Sequence, residues 1–137
     1  MSTLTAWHNE VRNVLNAALP TQFGPAEDLP TDGGKVAQCC VLWPTTGTTQ
    51  ARSNGVVHQR NDSVIAVFVG PTVLDTLAAV GKGRKALEGS RLVASGPGGG
   101  RVREGGFTGA QPVPEPGMDP VRVSLSIQFD AITKGPS

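Results

Sequence analysis

Ten consecutive residues alternate apolar and polar without a break: Val121, Val123, Leu125, Ile127 and Phe129 against Arg122, Ser124, Ser126, Gln128 and Asp130. A period of two marks a strand, because successive side chains leave the backbone on opposite faces. Such a strand is stable only beside other strands and beneath a cover for its odd-numbered face. The rest of the chain must supply both.

Sheet partners are legible upstream. "VIAVFV", residues 64–69, is continuously apolar and β-branched and predicts the central strand. "KVAQCCVLW", residues 35–43, is apolar at nearly every position and predicts a strand covered on both faces. Gln50 to Arg60 reads as a weaker edge strand, with a bulge near Gly55. "RNDS" at 60–63 has turn chemistry, and "RLVAS" at 91–95 suits one more short strand.

The cover comes from two helices. Leu4, Trp7, Val11, Val14, Leu15, Ala18 and Leu19 repeat at helical spacing over residues 3–19, which Pro20 ends. Three prolines and three glycines make 20–35 a loop. Val73, Leu74, Leu77, Ala78 and Val80 predict a second helix after Pro71, breaking near Gly81 or continuing to Leu87. The expected fold is α+β: a mostly antiparallel or mixed sheet of four to five strands with two helices packed on one face. Its 137 residues suit a single domain.

Twelve Lys and Arg against eleven Asp and Glu leave a formal charge of +1, so no global field recruits nucleic acid or an anionic membrane. No apolar run approaches the ~20 residues of a membrane span, and "MSTLTAWHNEV" lacks the features of a signal peptide. The expectation is a protein made in the cytoplasm. Cys39 and Cys40, the only cysteines, would point to opposite faces of a strand and read as buried thiols. His8 and His58 show no metal-ligand spacing with them and read as surface polar residues. Trp7, Trp43, Phe68 and Phe129 fall on predicted core positions, not between basic residues as base-stacking platforms would.

Residues 95–109, "SGPGGGRVREGGFTG", hold seven glycines, but no helix follows them and no Gly-Lys-Ser/Thr is present. A phosphate cradle needs that helix N-terminus. Lys82, Arg84, Lys85 and Arg91 form the one basic cluster, toward the end of the second helix, where the dipole alone favours them. No nucleophile elbow, paired carboxylates or supported Ser/His/Asp set is legible, so the expectation is a protein that is not an enzyme and takes no cofactor or metal. What stands out is the stretch 95–120, where eight glycines and five prolines fill half of 26 residues. Loops longer than ~12–15 residues are uncommon in small domains and are usually functional or ordered by a partner.

The order of "LTAWHNEVRNVLNAAL", "VAQCCVLW", "SVIAVFVGP", "TVLDTLAAVGKGRKALEG" and "VRVSLSIQFDAI" resembles the tail terminator proteins of long-tailed, siphovirus-type actinobacteriophages over roughly residues 4–132. The resemblance implies a virion structural protein at the top of the tail, at the head-tail junction. Six copies would form a ring that caps the tail tube, stops its polymerisation and joins it to the head connector. Its partners would be itself, the major tail tube protein and the head connector or head-closure protein, with DNA passing through the lumen without sequence-specific binding and no membrane contact. Head-closure and head-tail joining neck proteins, a small non-viral binding module and a nucleotide-binding enzyme stay open as alternatives. On the ring reading residues 96–118 of this arm make few contacts within the subunit and order only against neighbours, with Arg101, Val102, Arg103, Phe107, Val113 and Met118 as candidate inter-subunit contacts and Phe107 as the anchor.

The period-two run carries a direct test. Ile127→Asp is expected to prevent folding, since an unpaired charge in the core costs several kcal/mol. Gln128→Asp, on the wet face, is expected to melt close to the wild type. Equal losses in circular-dichroism melts would put the register off by one residue.

Overall fold

The computed structural model describes residues 3–51, 57–96, 98–105 and 111–134. In chain order they form α1 (Thr3–Asn16), β1 (Thr21–Phe23), β2 (Thr31–Asp32), β3 (Lys35–Val36), β4 (Cys39–Pro44), β5 (Thr48–Ala51) and β6 (Val57–Gly70). Then come α2 (Val73–Leu87), a 3-10 turn (Val93–Ser95), β7 (Arg103–Gly105), β8 (Val113–Pro114) and β9 (Val123–Lys134). The main sheet runs β1-β4-β6-β9-β7, with β5 also on β6 and β8 also on β9, while β2 and β3 pair as a separate hairpin. β1 is parallel to β4, and the other described pairs are antiparallel.

The α+β class is as the sequence predicts, but the main sheet has seven strands where four to five were expected. The edge strand expected over Gln50–Arg60 is divided between the end of β5 and the start of β6, with Gly55 outside the described residues, while β1, β7 and β8 are additions of two or three residues, too short to show a period. β6 takes the predicted central place, and β9 lies against it over twelve residue pairs, from Gln59↔Lys134 to Gly70↔Val123.

Both helices pack on the side of the sheet that carries Val64, Ala66 and Phe68 of β6 and Leu125, Ile127 and Phe129 of β9. α1 contributes Trp7, Val11 and Leu15, and α2 contributes Ala79, Val80 and Leu87. The Phe68 and Phe129 rings meet edge to face, 6.5 Å apart. The strand expected over 35–43 is split between β3 and β4, and β4 is buried on both faces from Cys39 to Leu42 only. Cys40 faces the helices, while Cys39 joins Val36 and Val69 in a small second cluster on the opposite face. Both thiols are free and buried, and burial pushes Cys39 up to about 11 and Cys40 further in the same direction.

Three local expectations give way to tertiary contacts. Residues 60–63 are not a turn but the middle of β6. The fully buried Asp62 carboxylate accepts hydrogen bonds from the Arg60 guanidinium and the Thr133 hydroxyl, so the polar residues are paired within the sheet. Residues 91–95 are not a strand, because Glu10 of α1 accepts the N–H groups of Val93 (2.7 Å) and Ala94 (2.9 Å) and caps a 3-10 turn there. Trp43 is 43% exposed instead of core. Its ring lies against Gly24, where a Cβ would come within 2.6 Å of the indole.

α2 runs through both of its glycines to Leu87. Thr72 caps it, its hydroxyl accepting the Asp75 N–H at 3.1 Å. Gly83 is required, since a Cβ there would fall inside the Phe68 ring, whereas Gly81 has open space around it. Gly83→Ala should therefore lower stability by about 1–3 kcal/mol through overpacking. Gly81→Ala should raise it by up to about 1 kcal/mol through helix propensity. Urea unfolding of the two variants checks the contrast.

Candidate functional site

The glycine-rich stretch is built into the sheet. Gly100 N–H donates to the Ile132 carbonyl (2.9 Å), and Val102 exchanges backbone bonds with Gly89 and Ser90 (2.8 Å each). A Cβ on Gly99 would strike the Ser95 backbone, and one on Gly105 would strike the Asp130 carboxylate. Close approach to the β9 edge and to the 3-10 turn explains these glycines, and among the described residues no helix start follows them to complete a phosphate cradle.

The six candidate contact residues separate. Val102 is fully buried inside this chain's own core and offers nothing to a neighbour. Arg101 is exposed and donates to the Gly89 carbonyl at 2.9 Å, and Arg103 is exposed in β7 opposite Asp130. Val113 is 61% exposed on β8 and Met118 is 37% exposed in the loop that follows. Phe107 lies outside the described residues. The expectation that residues 96–118 make few contacts within the subunit is thus corrected for 98–105, which are held by the bonds above and by the Arg84–Glu104 ion pair (2.7 Å).

Two apolar surfaces that sequence reading did not single out lie on opposite sides of the molecule. The first is the outer face of α2. Its inner face buries Thr76, Ala79, Val80, Gly83 and Leu87, yet Leu74, Leu77, Ala78 and Gly81, at i, i+3, i+4 and i+7, form a second stripe that is exposed. Leu74 is 77% exposed, and Val73 stands beside it. The second surface is the sheet face away from the helices. There Trp43 pairs across strands with Ile65, Ile65 with Gln128, and Val67 with Ser126. Trp43 and Ile65 are large exposed apolar groups in the middle of this row. The 24–36 segment covers only the neighbouring part of that face, through Leu29 and Val36.

The period of α2 did contain the signal, since its apolar residues are too many for one face. The sheet patch was hidden because Trp43 reads as core in any strand this apolar.

Two of the cavities among the described residues lie beside these elements. One of about 410 Å³ opens between α1 and the end of β4, lined by Leu4, His8, Phe23, Pro44 and Thr45. His8 is buried, not a surface residue as expected, with its Nε2 3.0 Å from the Thr45 carbonyl and its ring edge-on to Trp7. The other, of about 430 Å³, lies between the β2–β3 hairpin and the start of α2 and mixes Asp32, Lys35, Gln38, Asp75 and Lys82. Gln38 donates to Asp75 there at 3.3 Å. Among the described residues, no three His, Cys, Asp or Glu side chains gather as a metal site. No helix among them is long and apolar enough to cross a membrane. No protein-family model matches this chain, and no curated protein does.

Loss of water around His8 lowers its pKa from 6.5, a shift opposed by the Thr45 carbonyl and the Asp62 carboxylate and assisted by Arg60. The unfolded chain therefore binds this proton more tightly than the folded one. The contribution to stability is complete above 6.5 and is lost as the pH falls from there toward the depressed value. The melting temperature should fall as the pH is lowered through 6.5, above the range of ordinary carboxylates, and His8→Gln should flatten that slope. An unchanged slope in the variant would assign the effect to another group.

Proposed function

We propose that this protein is a virion structural subunit, a tail terminator whose copies form a hexameric ring on the tail tube, stop its growth and present a surface to the head connector. The observation that supports this reading is the pair of unlike apolar patches on opposite sides of one thin subunit, the α2 stripe and the Trp43–Ile65 face. A subunit whose two sides differ associates head to tail, and head-to-tail contacts close into rings when the rotation per copy permits. Side-chain chemistry plays no catalytic part in this reading. DNA would traverse the ring without base contacts, and the assembled protein would reside at the top of the tail.

The test is made on tails. Added to growing tail tubes, the protein is expected to cap one end and arrest elongation, and imaging of the phage neck should show six copies at that level. A cap with another symmetry, or tubes that grow on unhindered, would overturn the reading. Binding to the head connector but not to the tube would move the assignment to a head-closure protein.

A further inference from the structure

We propose that the outer face of α2 in one copy docks on the bare Trp43–Ile65 sheet face of the next copy, with Gly81 at the point of closest approach. This rests on the ring reading and specifies the surfaces that make the ring. Three observations converge on it.

The first is the helix itself. A helix apolar on two faces belongs in an interior, and α2 has a covered inner face and an uncovered outer one. The second is Gly81. A glycine inside a helix costs roughly 1 kcal/mol against alanine. Gly83 has a reason within the subunit, the Phe68 ring, but a Cβ on Gly81 would meet nothing within 4 Å. Gly81 continues the Leu74, Leu77, Ala78 stripe, and among the described residues nothing accounts for the missing side chain there, which a neighbouring copy would. A bulky ring laid flat on the helix is such a neighbour, and Trp43 is an exposed one.

The third observation is charge. The α2 stripe runs into Lys85, eleven residues after Leu74 and therefore on the same side, with Lys82 beside it, and both are exposed. The sheet face is bordered by the 24–36 segment, which carries exposed Glu27, Asp28 and Asp32 against one exposed lysine, Lys35, and begins at Gly24, the seat of the Trp43 ring. An apolar stripe ending in lysines meets an apolar face edged by carboxylates. A parallel α2–α2 pair would instead place lysines near lysines, so the contact with the sheet face is favoured over that arrangement.

Two variants decide it. Gly81→Gln is expected to keep or raise the melting temperature of the isolated subunit, since glutamine is the better helix former. The same variant should weaken ring formation on tail tubes by about tenfold or more, as loss at the centre of an interface does. Normal assembly of Gly81→Gln would overturn the close approach. The double variant Ile65→Cys with Leu74→Cys, treated with a short bis-maleimide after assembly, should give a ladder of covalent multimers on denaturing gels, with buried Cys39 and Cys40 contributing no background. Leu74→Cys alone should stay monomeric in that gel, and covalent dimers from it would show α2 meeting α2 and overturn the proposal. Wild-type rings with no ladder from the double variant would refute these surfaces and leave the ring reading standing. Wild-type protein that never assembles on tubes would remove both.

Discussion

The antiparallel pairing of β6 with β9 is the constraint that the rest of the structure answers to. Twelve residue pairs fix one register, and that register decides every face. It puts Val64, Ala66 and Phe68 on the same side as Leu125, Ile127 and Phe129 and so defines where both helices must lie. It also places Thr133 opposite Arg60, within reach of Asp62, so the one fully buried carboxylate of the ladder is held by partners from both strands. A slip by one residue would bury Gln128 and leave Asp62 without the Thr133 donor. The polar cluster makes the wrong register costly as well as the right one favourable.

Reach follows from the same pair. At ~3.3 Å per residue β6 extends about 46 Å, whereas α1, with the same 14 residues, covers about 21 Å. The sheet therefore outruns each helix, and the two must share its length. α2 lies over the Gly70 end, where Thr76 donates to the Val123 carbonyl at 2.9 Å. α1 lies nearer the other end, where His8 meets Thr45 and Trp7 donates to Ser95 at 3.2 Å.

Much of this frame is visible in the residue pattern. The period-two run of β9, the apolar run within β6, the doubly buried β4 and the two helices follow from local texture, and all have lengths that a period can mark. The departures are places where a partner far along the chain overrides local preference. Asp62 is strand because Thr133, 71 residues later, bonds it. Val93 and Ala94 turn because Glu10, more than 80 residues earlier, takes their N–H groups. The candidate surfaces were legible only in half: the excess of apolar residues on α2 is a sequence fact, but the openness of Trp43 depends on how far the 24–36 segment reaches. The glycines of 96–105 were misread as a sign of looseness, when they mark tight contact with Ser95 and Asp130.

That tight contact also shapes the edges of the sheet. β7 and β8 lie on the same side of β9, the first opposite Gln128 to Asp130 and the second opposite Val123 and Ser124, so the chain's own strands interrupt that border at both places. At the other border stands β1, three residues long and parallel to β4. Among the described residues these borders carry no long row of unpaired backbone groups, and β5, the remaining edge strand, is four residues long. Edges this short discourage strand addition, the route to fibres. Any contact between copies then falls to side chains and not to a shared backbone ladder.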